Sequence, residues 1–99
     1  MDGEFDGVEW DEKKSERNLA IRGFGFAYAA RVFQVPCVER ESRSDDSGEH
    51  RFVTTGQVEE LLLTVVWTPR GLVRRIISAR YASRKERRMY HAYYTKETF

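Results

Sequence analysis

The spacing of the apolar residues changes near Pro36, and this change restricts the possible folds more than any other feature of the sequence. Before Pro36, apolar residues recur three and four positions apart, as on one face of a helix: Phe26, Ala29, Ala30 and Phe33. After Pro36 they form short runs rich in Val, Ile, Leu and Thr, which favour strands. The sequence therefore predicts helices in its first third and a sheet after them.

Two helices are predicted before Pro36, behind a short strand at 5–10. Asp11 is placed to cap the first helix, which continues to about Arg22 and ends at Gly23. The second helix begins after a glycine-rich break and ends at Pro36, because proline lacks the backbone N–H that a helix requires.

Four strands are predicted after Pro36, at 38–42, 51–58, 61–68 and 73–79. Short turns at 57–60 and 68–71 should join the last three into an antiparallel meander, whereas a polar loop occupies 43–49. Ser83 and Glu86 have the spacing of a capping box, which predicts a third helix running to about Tyr94.

The predicted fold class is α+β, with two N-terminal helices and a C-terminal helix packed on one face of an antiparallel sheet. The other face would remain available to a ligand. The 99 residues, of which 40% are hydrophobic, suit one domain over 1–99 with a small core.

Cysteine content and hydropathy narrow the functional classes. Cys37 is the only cysteine, so neither an intrachain disulfide nor a zinc site built from cysteines can form. The longest apolar run, 61–67, is too short to span a bilayer, and the N-terminus lacks the pattern of a secretion signal. Motifs for nucleotide, calcium or zinc binding are missing from the sequence. We expect a cytoplasmic protein that does not bind membranes and needs no metal or cofactor.

Charge is distributed unevenly along the chain. Residues 1–50 carry 7 Lys/Arg and 12 Asp/Glu, a net charge of −5, whereas residues 51–99 carry 10 and 4, a net charge of +6. The basic half could bind the phosphates of a polyanion, and the acidic half could face a basic partner or limit nonspecific binding. The alternative is that most of these charges only solvate the surface.

Arginines on or beside the predicted strands are the main candidates for phosphate binding, because a guanidinium stays charged and can donate two parallel hydrogen bonds. Four of them could converge on one phosphate: Arg51, Arg70, Arg75 and Arg80. Strict alternation along the last strand, however, puts Arg74 and Arg80 on one face and Arg75 on the other. The four could then share a site only if a bulge intervenes.

Arg80 is the strongest of these candidates, because an arginine at the end of an apolar strand is costly unless it is paired or bound to a ligand. The alternative is a salt bridge to Glu86, which is compatible with phosphate binding. Glu86 could transfer a proton, although the capping box alone explains it. Tyr90, one turn later, could pack, bond to Glu86 or stack on a base.

The segment with the most specific pattern is Arg75-Ile76-Ile77-Ser78-Ala79-Arg80-x-Ala82, with Glu86 and Tyr90 after it. Further matching residues precede it: Val8-Glu9-Trp10-Asp11, Lys14, Asn18, Arg22-Gly23, Phe26, Ala29-Ala30-x-Val32-Phe33, Glu49-x-Arg51, Gly56 and Leu63-x-Val65-Val66-x-Thr68-x-Arg70. In these residues the chain resembles the BrnT family of toxins over nearly its whole length.

The resemblance implies a RelE-like fold, a ribonuclease activity that arrests growth, and a place in a type II toxin-antitoxin pair. It further implies an antitoxin similar to BrnA, a ribbon-helix-helix protein, in a heterotetramer that contacts operator DNA only through the antitoxin. The chain departs from the family where the usual Lys-His-Gly is replaced by Ile21-Arg22-Gly23. Arg22 cannot readily exchange a proton near neutral pH, which puts any role of that histidine in doubt here.

We therefore predict a metal-independent endoribonuclease, in which the 2′-hydroxyl of the substrate is the nucleophile and arginines stabilise the phosphorane. The predicted catalytic residues are Arg80, Arg70, Arg51, Glu86 and Tyr90. The predicted RNA-binding residues are Arg75, Arg74, Arg84 and His50.

Three further points concern a protein of this fold: the role of one histidine and two other possible functions. His50 is the better placed of two histidines for acid-base chemistry, but an exposed loop residue without a task is the favoured alternative for it. The protein could also be a noncatalytic module that binds RNA or a partner protein. Direct binding of operator DNA by this chain is disfavoured, because the sequence has no helix-turn-helix spacing.

Overall fold

The computed structural model describes residues 5–42 and 49–95. Its elements, in chain order, are β1 Val8–Glu9, α1 Glu12–Arg22, α2 Phe26–Ala29, a 3-10 helix Ala30–Gln34, β2 Cys37–Ser42, β3 Arg51–Val58, β4 Leu61–Arg70, β5 Val73–Tyr81 and α3 Arg84–Thr95. The α+β prediction is confirmed. The predicted polar loop lies outside the described residues except for Glu49.

The strands form one five-stranded sheet in the order β1-β5-β4-β3-β2. Neighbours among β2 to β5 are antiparallel, as predicted, but β1 is parallel to β5. The prediction of a purely antiparallel sheet is therefore wrong. The reason is that the N-terminal segment runs alongside β5 in the same direction, with the Arg74 N–H donating to the Gly7 carbonyl.

Local signals placed the N-terminal helices correctly. The Asp11 carboxylate accepts hydrogen bonds from the N–H groups of Lys13 and Lys14, and Gly23 ends α1 in a left-handed conformation with φ 93°. The second predicted helix is a single α turn that tightens into the 3-10 helix. Its buried residues are Phe26 and Ala29 in the α turn and Val32 in the 3-10 helix, whose three residues per turn put Val32 on the same side as Ala29.

The sheet buries apolar side chains on both faces. Leu62 and Leu63 are both buried, and as neighbours on β4 they point to opposite faces. Leu63 belongs to the main core with residues of α2 and the 3-10 helix, whereas Leu62 packs with Tyr90 of α3. The prediction that all helices cover one face is therefore wrong: α3 packs on the face opposite α2.

A β-bulge in β5 changes which side chains share a face. Val66 pairs with Ser78, but the next residue, Trp67, pairs with Ile76, so Ile77 is an extra residue. The predicted strict alternation is therefore wrong. The bulge puts Arg75 on the same face as Arg80 and sends Arg74 to the opposite face, beside the main core.

The turn between β4 and β5 is also shifted from its predicted place. Pro69 and Arg70 lie in β4, and the turn is formed by Gly71, with φ 61°, and Leu72. The ladder between β3 and β4 ends at the pair of Phe52 with Trp67. Pro69 can extend β4 because only β5 pairs with the strand at that point.

We call the two sides of the sheet the core face, which carries Leu63, and the arginine face, which carries Leu62. Residues paired across neighbouring strands share a face, so the registers assign five arginines to the arginine face: Arg40, Arg51, Arg70, Arg75 and Arg80. α3 covers one end of that face through its contacts with Leu62 and Val38.

Candidate functional site

A buried carboxylate organises the end of the arginine face nearest α3. The Arg80 guanidinium donates to both oxygens of Glu86, from Nη1 to Oε1 at 2.8 Å and from Nη2 to Oε2 at 3.0 Å. Arg40 Nη2 lies 3.5 Å from Glu86 Oε2, and the Thr64 hydroxyl donates to Oε1 at 2.9 Å. We call these four residues the Arg80 cluster.

The start of α3 holds Glu86 in this place. The Ser83 N–H donates to Glu86 Oε1 at 2.8 Å, and the Glu86 N–H donates to Ser83 Oγ at 3.2 Å. These reciprocal bonds are the predicted capping box. On the strand side, the hydroxyls of Thr64 and Thr55 are 2.8 Å apart, so the network continues into β3.

Electrostatics explain what Glu86 can and cannot do. The hydrogen bonds from Arg80 lower the pKa of Glu86 to about 2, helped by the Ser83 N–H and the Thr64 hydroxyl and opposed by burial. The same pair raises the pKa of Arg80 above its ordinary value. A carboxylate with so low a proton affinity is a poor general base at neutral pH, so its geometry suits it to positioning Arg80.

A second group of cations lies at the other end of the arginine face. Arg51 donates to Glu49 Oε1 from Nε at 3.4 Å and from Nη2 at 3.3 Å, and Arg70 Nη2 lies 3.9 Å from Glu49 Oε2. Arg75 Nη1 donates to Glu9 Oε2 at 3.1 Å. With Lys14, these three arginines line a cavity of about 280 Å³. We call Lys14, Arg51, Arg70 and Arg75 the Arg70 cluster.

The two clusters are separate sites on one face. Thr64 pairs with Arg80 and Thr68 pairs with Arg75, so the clusters are four residues apart along β4. At about 3.3 Å per residue this is roughly 13 Å. Arg80 is held at its own end by Glu86, and the other arginines line the cavity, so the four arginines proposed for one phosphate divide into Arg80 and the other three.

The remaining predicted residues lie elsewhere. Arg74 is on the core face, with its guanidinium 4.7, 4.5 and 5.0 Å from the ring centres of Phe5, Phe33 and Trp67. Its Nε is buried without a hydrogen-bond partner. This position is on the side of the sheet opposite both clusters.

His50, Tyr90 and Arg84 are not brought together by the fold. His50 is exposed beside Arg51, with Nε2 3.1 Å from Glu41 Oε2. Tyr90 packs against Leu62, and burial raises the pKa of its hydroxyl, so the packing alternative describes its surroundings. Arg84 is exposed on the first turn of α3.

Sequence reasoning missed three contributors: Arg40 and Thr64 in the Arg80 cluster and Lys14 in the Arg70 cluster. Lys14 has a sequence signal only as part of the family pattern. Arg40 had no signal of its own, because its approach to Glu86 depends on the pairing of Arg40 with Val53 across β2 and β3. Thr64 has no sequence feature that distinguishes it from other strand residues.

Metal sites and membrane-spanning helices were sought among the described residues. Within 5–42 and 49–95, no group of three or more His, Cys, Asp and Glu side chains has an arrangement that could hold a metal ion. Among those same residues, none of the helices combines the length and apolar character needed to cross a membrane.

Known proteins share the sequence pattern and the fold. A family model described as "Ribonuclease toxin, BrnT, of type II toxin-antitoxin system" matches residues 10–86. The crystal structure of the Brucella abortus ribonuclease toxin BrnT has a similar fold, with a TM-score of 0.54 and 22% sequence identity. The similarity covers 79% of this chain and 97% of the Brucella chain. A search of curated proteins gave no match.

Proposed function

The chain belongs to the BrnT family of ribonuclease toxins of type II toxin-antitoxin systems, and from this premise we propose that it is a metal-independent endoribonuclease that arrests growth. The observation that carries the proposal is the Arg80 cluster, in which a guanidinium is oriented by a buried carboxylate at the surface of a sheet face rich in arginine. We also propose that residues 1–99 act as one RelE-like domain in the cytoplasm.

The proposed reaction uses the substrate's own 2′-hydroxyl. Its oxygen loses its proton and attacks the adjacent phosphorus, the bond from phosphorus to the 5′-oxygen of the next nucleotide breaks, and that oxygen gains a proton, so no net proton is released. The products are a 2′,3′-cyclic phosphate and a 5′-hydroxyl. The pentacoordinate phosphorane carries extra negative charge on its oxygens, and fixed cations placed there lower the barrier.

Arg80 is the residue we assign to the phosphorane. Its contacts with Glu86 and the Tyr81 carbonyl use at most three of the five N–H donors of a guanidinium, so others remain for phosphate oxygens. Glu86 is then a positioning residue, and Arg40 supplies a second positive charge beside it. Arg51 and Arg70, which lie in the other cluster, bind RNA in this scheme, and Tyr90 packs α3 against the sheet.

The test is cleavage of a long RNA in EDTA by the purified protein and by Arg80→Ala, each checked for folding by circular dichroism. We expect a loss of about a hundredfold or more for Arg80→Ala, because removing one donor to a developing oxyanion typically costs this much. Arg80→Lys keeps a charge beside Glu86 but cannot donate in parallel, so it should be nearly as slow. Arg31→Ala, which removes an exposed arginine paired with Glu59, is the matched control.

The cleavage products and any requirement for metal distinguish the proposed mechanism from the alternatives. Cyclic phosphate ends would support the 2′-hydroxyl mechanism. Cleavage only after metal addition, or full activity of Arg80→Ala, would contradict the proposal. RNA binding without cleavage would favour the noncatalytic module. The replacement of the family histidine by Arg22 is the reason for testing this alternative.

Membership of the family implies an antitoxin partner. We propose that this partner resembles BrnA, that it is a ribbon-helix-helix protein, and that operator DNA is contacted only through it. Coexpression followed by light scattering would test the expected heterotetramer. A one-to-one heterodimer that also binds operator DNA would contradict the proposed assembly.

A further inference from the structure

We propose that the Arg70 cluster is a second phosphate-binding subsite, so that the substrate is an RNA strand that spans both clusters. This inference rests on the proposed function, because it concerns where the RNA lies beyond the phosphate that is cleaved. It gives the Arg70 cluster a binding role and leaves the chemistry at Arg80.

The charge of the cavity favours an anion. Among residues 5–42 and 49–95, four cations line it, Lys14 and the three arginines, against the lining carboxylates of Asp11 and Glu49 and that of Glu9, which contacts Arg75. The Asp11 carboxylate is engaged in capping α1, with its pKa lowered by the N–H groups of Lys14 and Lys13. The cavity therefore has an excess of positive charge, as phosphate binding requires.

The geometry of the cluster also suits phosphate. Glu49 contacts both Arg51 and Arg70, and Glu9 contacts Arg75, so each guanidinium is oriented by a carboxylate. Arg70 remains exposed over 56% of its side chain, so much of its surface is open to a ligand. An oriented but accessible guanidinium can donate to a phosphate without leaving its carboxylate.

The bulge at Ile77 makes the two clusters parts of one surface. Without the extra residue, Arg75 would point to the core face, and the cavity would lose one of its four cations from the face that carries Arg80. Between the clusters lie the paired residues Val66 and Ser78, which bear no charge, and Ser78 also lines a pocket with Arg17 and Arg22 of α1. Two cationic patches, with further cations of α1 beside the strip between them, match a polymer that carries its charge at regular intervals.

The distance between the two clusters determines how many nucleotides of RNA are needed to contact both. The nearer members of the Arg70 cluster are roughly 13 Å from the Arg80 cluster along β4, and Arg70, six residues beyond Thr64, is roughly 20 Å from it. A strand of duplex DNA advances about 3.4 Å per nucleotide, and a similar advance for stacked RNA makes the span about four to six nucleotides, or fewer if the strand is extended. The alternative is that these arginines form only surface salt bridges, which contribute little to stability and bind nothing.

The experiment measures binding of a single-stranded 2′-O-methyl RNA, which cannot be cleaved through its 2′-oxygen. Fluorescence anisotropy compares a dinucleotide with an octanucleotide across a salt series. The test variant is Lys14→Gln/Arg70→Gln, in which both replaced side chains are exposed. The matched control is Lys13→Gln/Arg31→Gln, which removes one lysine and one arginine that do not line the cavity.

We expect the octanucleotide to bind wild type more tightly than the dinucleotide, and the test variant to lose about tenfold in octanucleotide affinity. The salt dependence of the variant should fall by roughly one phosphate contact, about 0.7 in the logarithmic slope, or more. The control variant should bind the octanucleotide as wild type does. On cleavable RNA, the test variant should raise KM more than it lowers kcat.

Three results would overturn the subsite. They are equal binding of both lengths by wild type, wild-type affinity in the test variant, and a fall in kcat at unchanged KM, which would place the chemistry at the Arg70 cluster. Binding is measured without cleavage, so the binding test still decides whether the subsite exists if the protein proves not to be a nuclease. Conversely, cleavage that depends on Arg80 but not on strand length would reject the subsite alone.

Discussion

The two ends of the arginine face use the same residue types in different ways. At the Arg80 end, guanidinium and carboxylate are 2.8 Å apart, and only 9% of the Glu86 side chain is exposed. At the other end, Arg70 and Glu49 are 3.9 Å apart and more exposed. A tight buried pair is part of the fold, whereas a loose exposed pair leaves guanidinium donors accessible to a ligand. The comparison teaches that burial distinguishes a preorganised centre from an adaptable binding surface.

The largest stability effect should come from breaking the Arg80 end. Glu86→Gln leaves Arg80 with a neutral partner and weakens the contacts with Ser83 and Thr64. We expect a loss of about 2 kcal/mol in the free energy of unfolding, less than for a fully buried pair because Arg80 is partly exposed. Urea denaturation measures it.

The matched change at the other end is Glu49→Gln. Because surface ion pairs contribute about 0–1 kcal/mol, its effect should be at the low end of that range. Equal losses in the two variants would remove the distinction between the two ends.

A pH series sharpens the same distinction. Because the pKa of Glu86 is lowered to about 2, its contribution to stability is complete above its ordinary value near 4.5 and is lost as the pH falls towards 2. The gap in unfolding free energy between wild type and Glu86→Gln should therefore narrow over this interval. Thermal melts at a series of pH values measure it, and a gap independent of pH would refute the assigned charge state.

The smallest effect on stability is expected at Arg70. Arg70→Gln should change the free energy of unfolding by less than about 0.5 kcal/mol, because the side chain is exposed and its contact with Glu49 is long. Chemical denaturation tests this. A loss comparable with that of Glu86→Gln would mean that the Arg70 cluster is a structural element.

Much of the fold could be predicted because its signals are local. The caps of α1 at Asp11 and Gly23 and the capping box of Ser83 and Glu86 involve residues only a few positions apart. The strand ranges follow from runs of β-branched residues. The parallel pairing of β1 and the face chosen by α3 escaped prediction, because both depend on contacts between distant segments.

The candidate site was predictable only as a set of residues. Arg80 with Glu86 was anticipated as a pair, and the structure forms it. The other three arginines stay candidates for phosphate, but sequence spacing could not show that they lie roughly 13 to 20 Å away along the strands. Arg40 was missed, since only the register of β2 against β3 brings it to Glu86.

The sequence by itself determined where helices and strands begin, the excess of arginine in the second half, and the family pattern, because these depend on residue identity and short-range bonding. Only the tertiary structure decided which arginines share a face. The bulge at Ile77 arises in the pairing of β4 with β5, and this pairing must satisfy Trp67 and Ile76 in the main core at once. Such a constraint belongs to the packed sheet, so no short stretch of sequence encodes it alone.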